Sequence, residues 1–295
     1  MIKYMKGVNL MSKFILSAFA DEIDASLTTQ MEVLDQHGIK HIEMRGVNGK
    51  NLTQYTLDEV REIKKQLDAR GFKISAVGSP VGKIKITDDF APHLDLFKHT
   101  IEIAKILETK YIRMFSFFIP HGEDPAKYRD EVMNRWSQFI KSAEGTGIVL
   151  LHENEKDIYG DTAERCLDLL KTMNCSYVKA TFDPANFVQC NEKTYPEAYE
   201  LLKDYIEYMH IKDANANDHK VVPAGYGDGK VKEILTALYK AGYEGFLSLE
   251  PHLGSFQGFS DLEPNSPIND MPEGGPKKFA MAVDALKKIT AEIER

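Results

Sequence analysis

The chain has 295 residues, 43% hydrophobic and 28% charged, with a formal net charge of −8, the make-up of an ordinary globular protein. An acidic chain repels a polyanion, so nucleic acid would need a local basic stripe, and the sequence shows none. No apolar run is long enough to span a bilayer, which argues against a membrane protein.

Residues 1–12 carry no clear element and are set apart as an N-terminal extension, with residues 13–295 as one domain. The start has basic residues but lacks the apolar core and cleavage site of a secretory signal, so the expected location is cytoplasmic. Met11 offers a second start site. From Lys13 onward, apolar runs of strand character fall at 14–19, 41–44, 73–77, 111–115, 148–151, 178–182, 206–210 and 246–249. Amphipathic runs of helical period lie between them, and several stop at a glycine: Gly38, Gly71, Gly145 and Gly242. Eight such units predict an α/β fold, a single (β/α)8 TIM barrel. A doubly wound open sheet would place a glycine-rich phosphate turn after its first strand, but the chain reads Ala20-Asp21-Glu22-Ile23-Asp24 there. Cys166, Cys175 and Cys190 form no metal-type pair and read as free thiols.

Four of the later strand candidates close on a metal-ligand residue: Glu153, Asp183, His210 and Glu250. Strands five to eight of a barrel would bring these to one rim, at the end where barrel enzymes keep their chemistry. Three carboxylates and one imidazole suit a borderline-hard divalent ion such as Mn²⁺, Mg²⁺, Co²⁺ or Zn²⁺. Each residue also has a plainer reading: His210 as a satisfied polar group, Asp183 and Glu250 as turn-formers or helix caps. The unbroken order of the four favours the metal.

The segments His152-Glu153-Asn154-Glu155, Phe182-Asp183-Pro184-Ala185-Asn186, His210-Ile211-Lys212-Asp213 with Val222-Pro223-Ala224-Gly225-Tyr226-Gly227, and Leu249-Glu250-Pro251 resemble the signature of the xylose-isomerase-like TIM barrels that include sugar phosphate isomerases and epimerases. The resemblance extends over nearly the whole chain. It implies that Glu153, Asp183, His210 and Glu250 bind one divalent metal, commonly Mn²⁺, and that Glu153 and Glu250 are also the catalytic acid and base. The implied reaction is metal-dependent isomerisation or epimerisation of a sugar, sugar phosphate or related polyol, through proton abstraction next to a carbonyl and a metal-stabilised enediolate. Dehydration, as in inosose dehydratases, is the alternative on the same scaffold. A metal-dependent endonuclease and a non-catalytic sugar-binding barrel fit less well, the first for its charge and the second because no ligand is missing.

Two positions depart from the ketose epimerase pattern. Asn186 stands where a substrate-contacting histidine is usual, and Lys212-Asp213 stands nearest to a usual arginine. Both remain candidates for substrate binding, with Lys212 expected first to pair with Asp213. Glu155 and His252 lie two residues past Glu153 and Glu250 and are weaker substrate candidates, Glu155 reading first as a solvated loop charge. Arg113, inside a strand, should be paired, with a neighbour such as Glu43 before substrate. The turn Ser79-Pro80-Val81-Gly82-Lys83 resembles a family loop near the substrate. The long loop 251–275, with Phe256 and Phe259, reads as a lid over the sugar or a subunit contact. The expected partner is a small sugar or polyol, preferably unphosphorylated, with a homo-oligomer left open.

Overall fold

The structure is a computed structural model that describes residues 13–256 and 273–295. The extension expected over residues 1–12, and residues 257–272 of the long loop with Phe259, lie outside the described residues.

Eight parallel strands form one sheet: β1 Lys13–Ala18, β2 His41–Met44, β3 Lys73–Gly78, β4 Tyr111–Met114, β5 Val149–Glu153, β6 Val178–Phe182, β7 Ile206–Ile211 and β8 Glu244–Leu249. They pair in the order β1-β8-β7-β6-β5-β4-β3-β2, and β1 lies against β2 to leave the barrel nearly closed. The predicted single (β/α)8 TIM barrel is the observed fold. Around it run α1 Leu27–Gln36, α2 Leu57–Ala69, α3 Ala91–Ile106, α4 Arg129–Ala143, α5 Ala163–Met173, the short α6 Pro184–Gln189 and α7 Tyr199–Leu202, α8 Val231–Lys240 and α9 Pro276–Ile293. Among the described residues no helix is long and apolar enough to cross a membrane.

Local sequence explains these elements. Helix α2 opens on a reciprocal cap, Thr56 accepting from the Glu59 N–H while Glu59 accepts from the Thr56 N–H, and buries Val60, Ile63 and Leu67 on one face. The four glycines read as helix stops all take positive φ, between 70° and 78°. All three cysteines are free thiols.

Strand alternation decides what fills the barrel. Every second residue points inward, so each strand contributes a column of side chains rather than one. Near the N-terminal ends, Tyr111, Leu151 and Tyr208 pack with Ala76, and Phe246 lies against them. Beside Ala76, the Ser75 hydroxyl lies 2.6 Å from that of Ser17 and 2.8 Å from that of Tyr208. Two residues beyond Tyr111 and Tyr208 come Arg113 and His210, buried with Glu43. The interior thus passes from aromatic rings and hydroxyls to charge toward the C-terminal rim, where many barrels keep branched aliphatic layers.

Past β7 the chain turns sharply. Asp213–Ala214 pairs antiparallel with Val221–Val222, and the Asp213 carboxylate accepts from the N–H groups of Gly225, Gly227 and Gly229 at 2.8, 3.1 and 2.8 Å. A Cβ at Gly227 or Gly229 would fall 2.5 or 2.6 Å from Asp213 Oδ1, so only glycine permits this close approach. Asp213 is therefore committed to the loop. Replacing it with alanine would leave these three N–H groups without their acceptor, that of Gly229 buried, and we expect a loss of about 2–3 kcal/mol in urea denaturation. Asp213→Asn, which keeps one acceptor, should lose less; equal stability of wild type and Asp213→Ala would contradict this role.

Candidate active site

Glu153 ends β5, Asp183 follows β6, His210 lies in β7 and Glu250 follows β8. The structure brings all four together: one ligand-type atom from each lies within 4.8 Å of the others, and all four residues are buried.

His210 organises the group. Its Nε2 lies 3.1 and 3.2 Å from the two oxygens of Glu43, while Nδ1 lies 2.9 Å from Glu153 Oε1, 3.4 Å from Glu250 Oε2 and 3.8 Å from Asp183 Oδ2. With the Nε2 proton donated to Glu43, loss of the Nδ1 proton would leave a lone pair turned toward the three carboxylates.

The carboxylates divide their two oxygens between tasks. Asp183 Oδ1 caps α6 by accepting from the Asn186 N–H at 2.9 Å, while Oδ2 faces Lys212 Nζ at 3.0 Å. The cap reading and the ligand reading of Asp183 thus describe two different atoms. Glu153 Oε1 faces His210 and Asn186 Nδ2, the latter at 3.2 Å, and Oε2 faces Arg113 Nε at 3.1 Å. Glu250 Oε2 faces Lys212 Nζ and Oε1 faces Arg45 Nη1, both at 3.0 Å.

Three expectations change. Lys212 pairs with Asp183 and Glu250 instead of Asp213, because adjacent residues of an extended strand point to opposite sides. Glu155 is buried and pairs with Lys83 at 3.1 Å, so it is no solvated loop charge. Arg113 is paired as expected, but Glu153 at 3.1 Å is nearer than Glu43 at 3.7 Å, and Nη1 also donates to Ser79 O at 2.9 Å. The other two candidates also line the group. Asn186 is fully buried, and its Oδ1 accepts no hydrogen bond. His252 is buried, its Nε2 3.4 Å from Glu22 Oε1 and 3.5 Å from Glu250 Oε1.

Sequence reasoning missed Asp21, Glu22 and Arg45, and named Glu43 only as a partner for Arg113. Arg45 donates to Asp21 at 2.8 and 3.0 Å, and both Arg45 and Arg113 stand over the Phe19 ring, their Cζ atoms 4.3 and 5.4 Å from its centroid. Gly78 makes room for this stack: a Cβ there would lie 2.8 Å from Phe19 Cε1, 3.2 Å from Arg45 Cβ and 3.4 Å from Arg113 Nη2. The signal was present in His41-Ile42-Glu43-Met44-Arg45, where charge recurs at every second position of a buried strand.

Joined by ion pairs, Asp21, Glu22, Glu43, Glu153, Asp183 and Glu250 outnumber Arg45, Arg113 and Lys212, six carboxylates to three permanent cations. The imbalance shows in protonation. Burial and the neighbouring glutamates push Asp183 up to about 7 against the pull of Lys212, and burial drives Glu22 to about 8 despite Arg45. Burial alone would depress His210, but Glu153 and Glu43 outweigh it and raise it well above the usual range. For Glu250 burial is overcome by Lys212, His252 and His210, which hold it well below the carboxylate range. Asp183 Oδ2, buried and turned to the centre, accepts no hydrogen bond and is met by the ion pair with Lys212. A hard donor set with excess negative charge and such an oxygen fits a divalent cation.

The raised groups bind their protons more tightly folded than unfolded, so the stability they confer is present at low pH and lost as pH rises through the folded values. In a chelator, the thermal midpoint should fall between about pH 6 and about pH 9. A midpoint that rises over that window would contradict the charge imbalance.

The model of the family described as xylose isomerase-like TIM barrel matches residues 31–273. Among solved structures, an L-ribulose 3-epimerase superposes with a TM-score of 0.74 at 15% identity, covering 96% of this chain and 95% of its own. D-psicose 3-epimerase from Clostridium cellulolyticum H10, solved with D-tagatose, gives 0.73 at 17% identity, covering 95% and 100%. The IOLI protein, solved with a zinc atom, gives 0.68 at 16% identity, covering 96% and 98%. At these identities the likeness is one of fold. The family match spans most of the chain, and the protein belongs to the xylose isomerase-like TIM barrels.

Proposed function

We propose that the protein is a divalent-metal-dependent isomerase or epimerase of a sugar or related polyol, with Glu153, Asp183, His210 and Glu250 as ligands of one ion, Mn²⁺ before Mg²⁺, Co²⁺ or Zn²⁺. One observation carries the reading: two glutamates from different strands each turn one oxygen to a common centre while an arginine holds the other. When bound, the ion would act as a Lewis acid on a carbonyl and its neighbouring hydroxyl.

The chain's own groups supply the rest. One of Glu153 and Glu250 takes the proton from the carbon beside the carbonyl, and the other returns a proton from the opposite face, which inverts that carbon. Return to the neighbouring carbon would give aldose–ketose isomerisation instead. The Lys212 ammonium, kept charged by Asp183 and Glu250 against the effect of burial, is placed to steady negative charge on a substrate oxygen. Asn186 offers its free Oδ1 to a sugar hydroxyl. Glu43 holds His210 in the tautomer that leaves Nδ1 free.

Incubation of metal-loaded protein with ketoses, ketose phosphates and inososes in D₂O tests the proton transfer. Deuterium should enter next to the carbonyl, and Glu153→Gln and Glu250→Gln should each slow it by roughly 10²- to 10⁴-fold. Exchange that survives both substitutions, or a chelator, would sink the proposal, and loss of water from an inosose would move it to dehydration. Independently of substrate, Glu43→Gln should weaken Mn²⁺ binding roughly 10- to 100-fold in a calorimetric titration, and unchanged affinity would remove its role in orienting His210.

A further inference from the structure

A second group of ligand-type residues meets the first at Glu250. Glu22, Glu250 and His252 are all buried, and one ligand atom of each lies within 4.8 Å of the others. In each group a side chain already supplies positive charge, the single ammonium of Lys212 at the first and the fixed fork of Arg45 at the second. Arg45 Nη1 lies 3.0 Å from Glu250 Oε1 and Nη2 lies 3.4 Å from Glu22 Oε1, the same two oxygens that face His252 Nε2. Asp21 grips the guanidinium from behind at 2.8 and 3.0 Å. The rings of Phe19 and Phe256 cover it, their centroids 4.3 and 5.0 Å from Cζ. Phe256, expected over the sugar or at a subunit contact, lies against this arginine.

We infer that Arg45 takes the place of a second metal ion. A dication drawing Glu22 Oε1 and Glu250 Oε1 to about 2.0–2.2 Å would have to stand where the guanidinium nitrogens now are, and the guanidinium, gripped by Asp21 and covered by two rings, cannot withdraw to make room as the flexible Lys212 ammonium can at the first centre. The guanidinium cannot be deprotonated, exchanged or chelated, so Oε1 of Glu250 stays committed to it whether or not the first site is loaded. Only Oε2 is then left to face the first centre. Arg45 is on this account a positioning residue for Glu250 and the reason the chain takes one ion. The inference rests on the reading of the first centre as a single-ion site.

Metal stoichiometry tests it without a substrate. Metal-free wild type, Arg45→Lys, Arg45→Met and the double variant Asp21→Asn/Arg45→Met would be titrated with Mn²⁺ and their bound metal counted by elemental analysis after desalting. The double variant removes the carboxylate that Arg45→Met leaves uncompensated, in case the single one does not fold. We expect one equivalent in wild type and Arg45→Lys and two in the methionine variants, with the second lost again on adding Glu22→Gln. Two equivalents in wild type, or one in the folded methionine variants, would overturn the inference. No metal in wild type would overturn the single-ion reading itself, and the inference with it.

Discussion

Charge buried within a barrel has to be balanced within the barrel, because water cannot reach it to do so. Most of what surrounds the four candidate ligands follows from that constraint. Six carboxylates share three permanent cations, and the deficit is made up by protons held on Asp183, Glu22 and His210. The protons on Asp183 and His210 occupy groups that a divalent ion at the first centre would need deprotonated. Binding and protonation thus compete for the same negative charge, and a site built this way would be expected to exchange protons for metal rather than sit as a vacant cage.

The arginines give the balance a direction. Arg113 and Arg45 approach from β4 and from the end of β2 and each takes one oxygen of one glutamate, while Phe19 between them keeps the two guanidiniums in register. Each glutamate is left with one oxygen committed and one turned toward His210. A carboxylate so divided has little freedom to rotate, which would suit the proton transfer proposed for both glutamates.

Much of this was legible in the sequence. The barrel followed from eight alternating units, and the four strand-end residues converge because parallel strands carry their C-terminal ends to one rim. What escaped were residues whose role depends on a neighbour in another strand. Glu43 stands in a short strand and Arg45 just past it, their alternating charge unread as facing the site, and Asp21 and Glu22 stand in a turn noticed only for lacking glycine. Lys212 was assigned to Asp213 because sequence adjacency suggests contact, whereas strand geometry sends the two to opposite sides. Residue types announce a ligand; they do not announce the counter-charge that lets it be buried.

Gly78 has a consequence for how such a site can diverge. Strand β3 gives the rim no charged group at this point, only the volume in which Phe19, Arg45 and Arg113 meet. A side chain at position 78 would have to be matched by a smaller ring or the loss of an arginine, so positions 19, 45, 78 and 113 are sterically coupled. A change at position 78 would thereby disturb the counter-charges of both glutamates at once, although it touches neither.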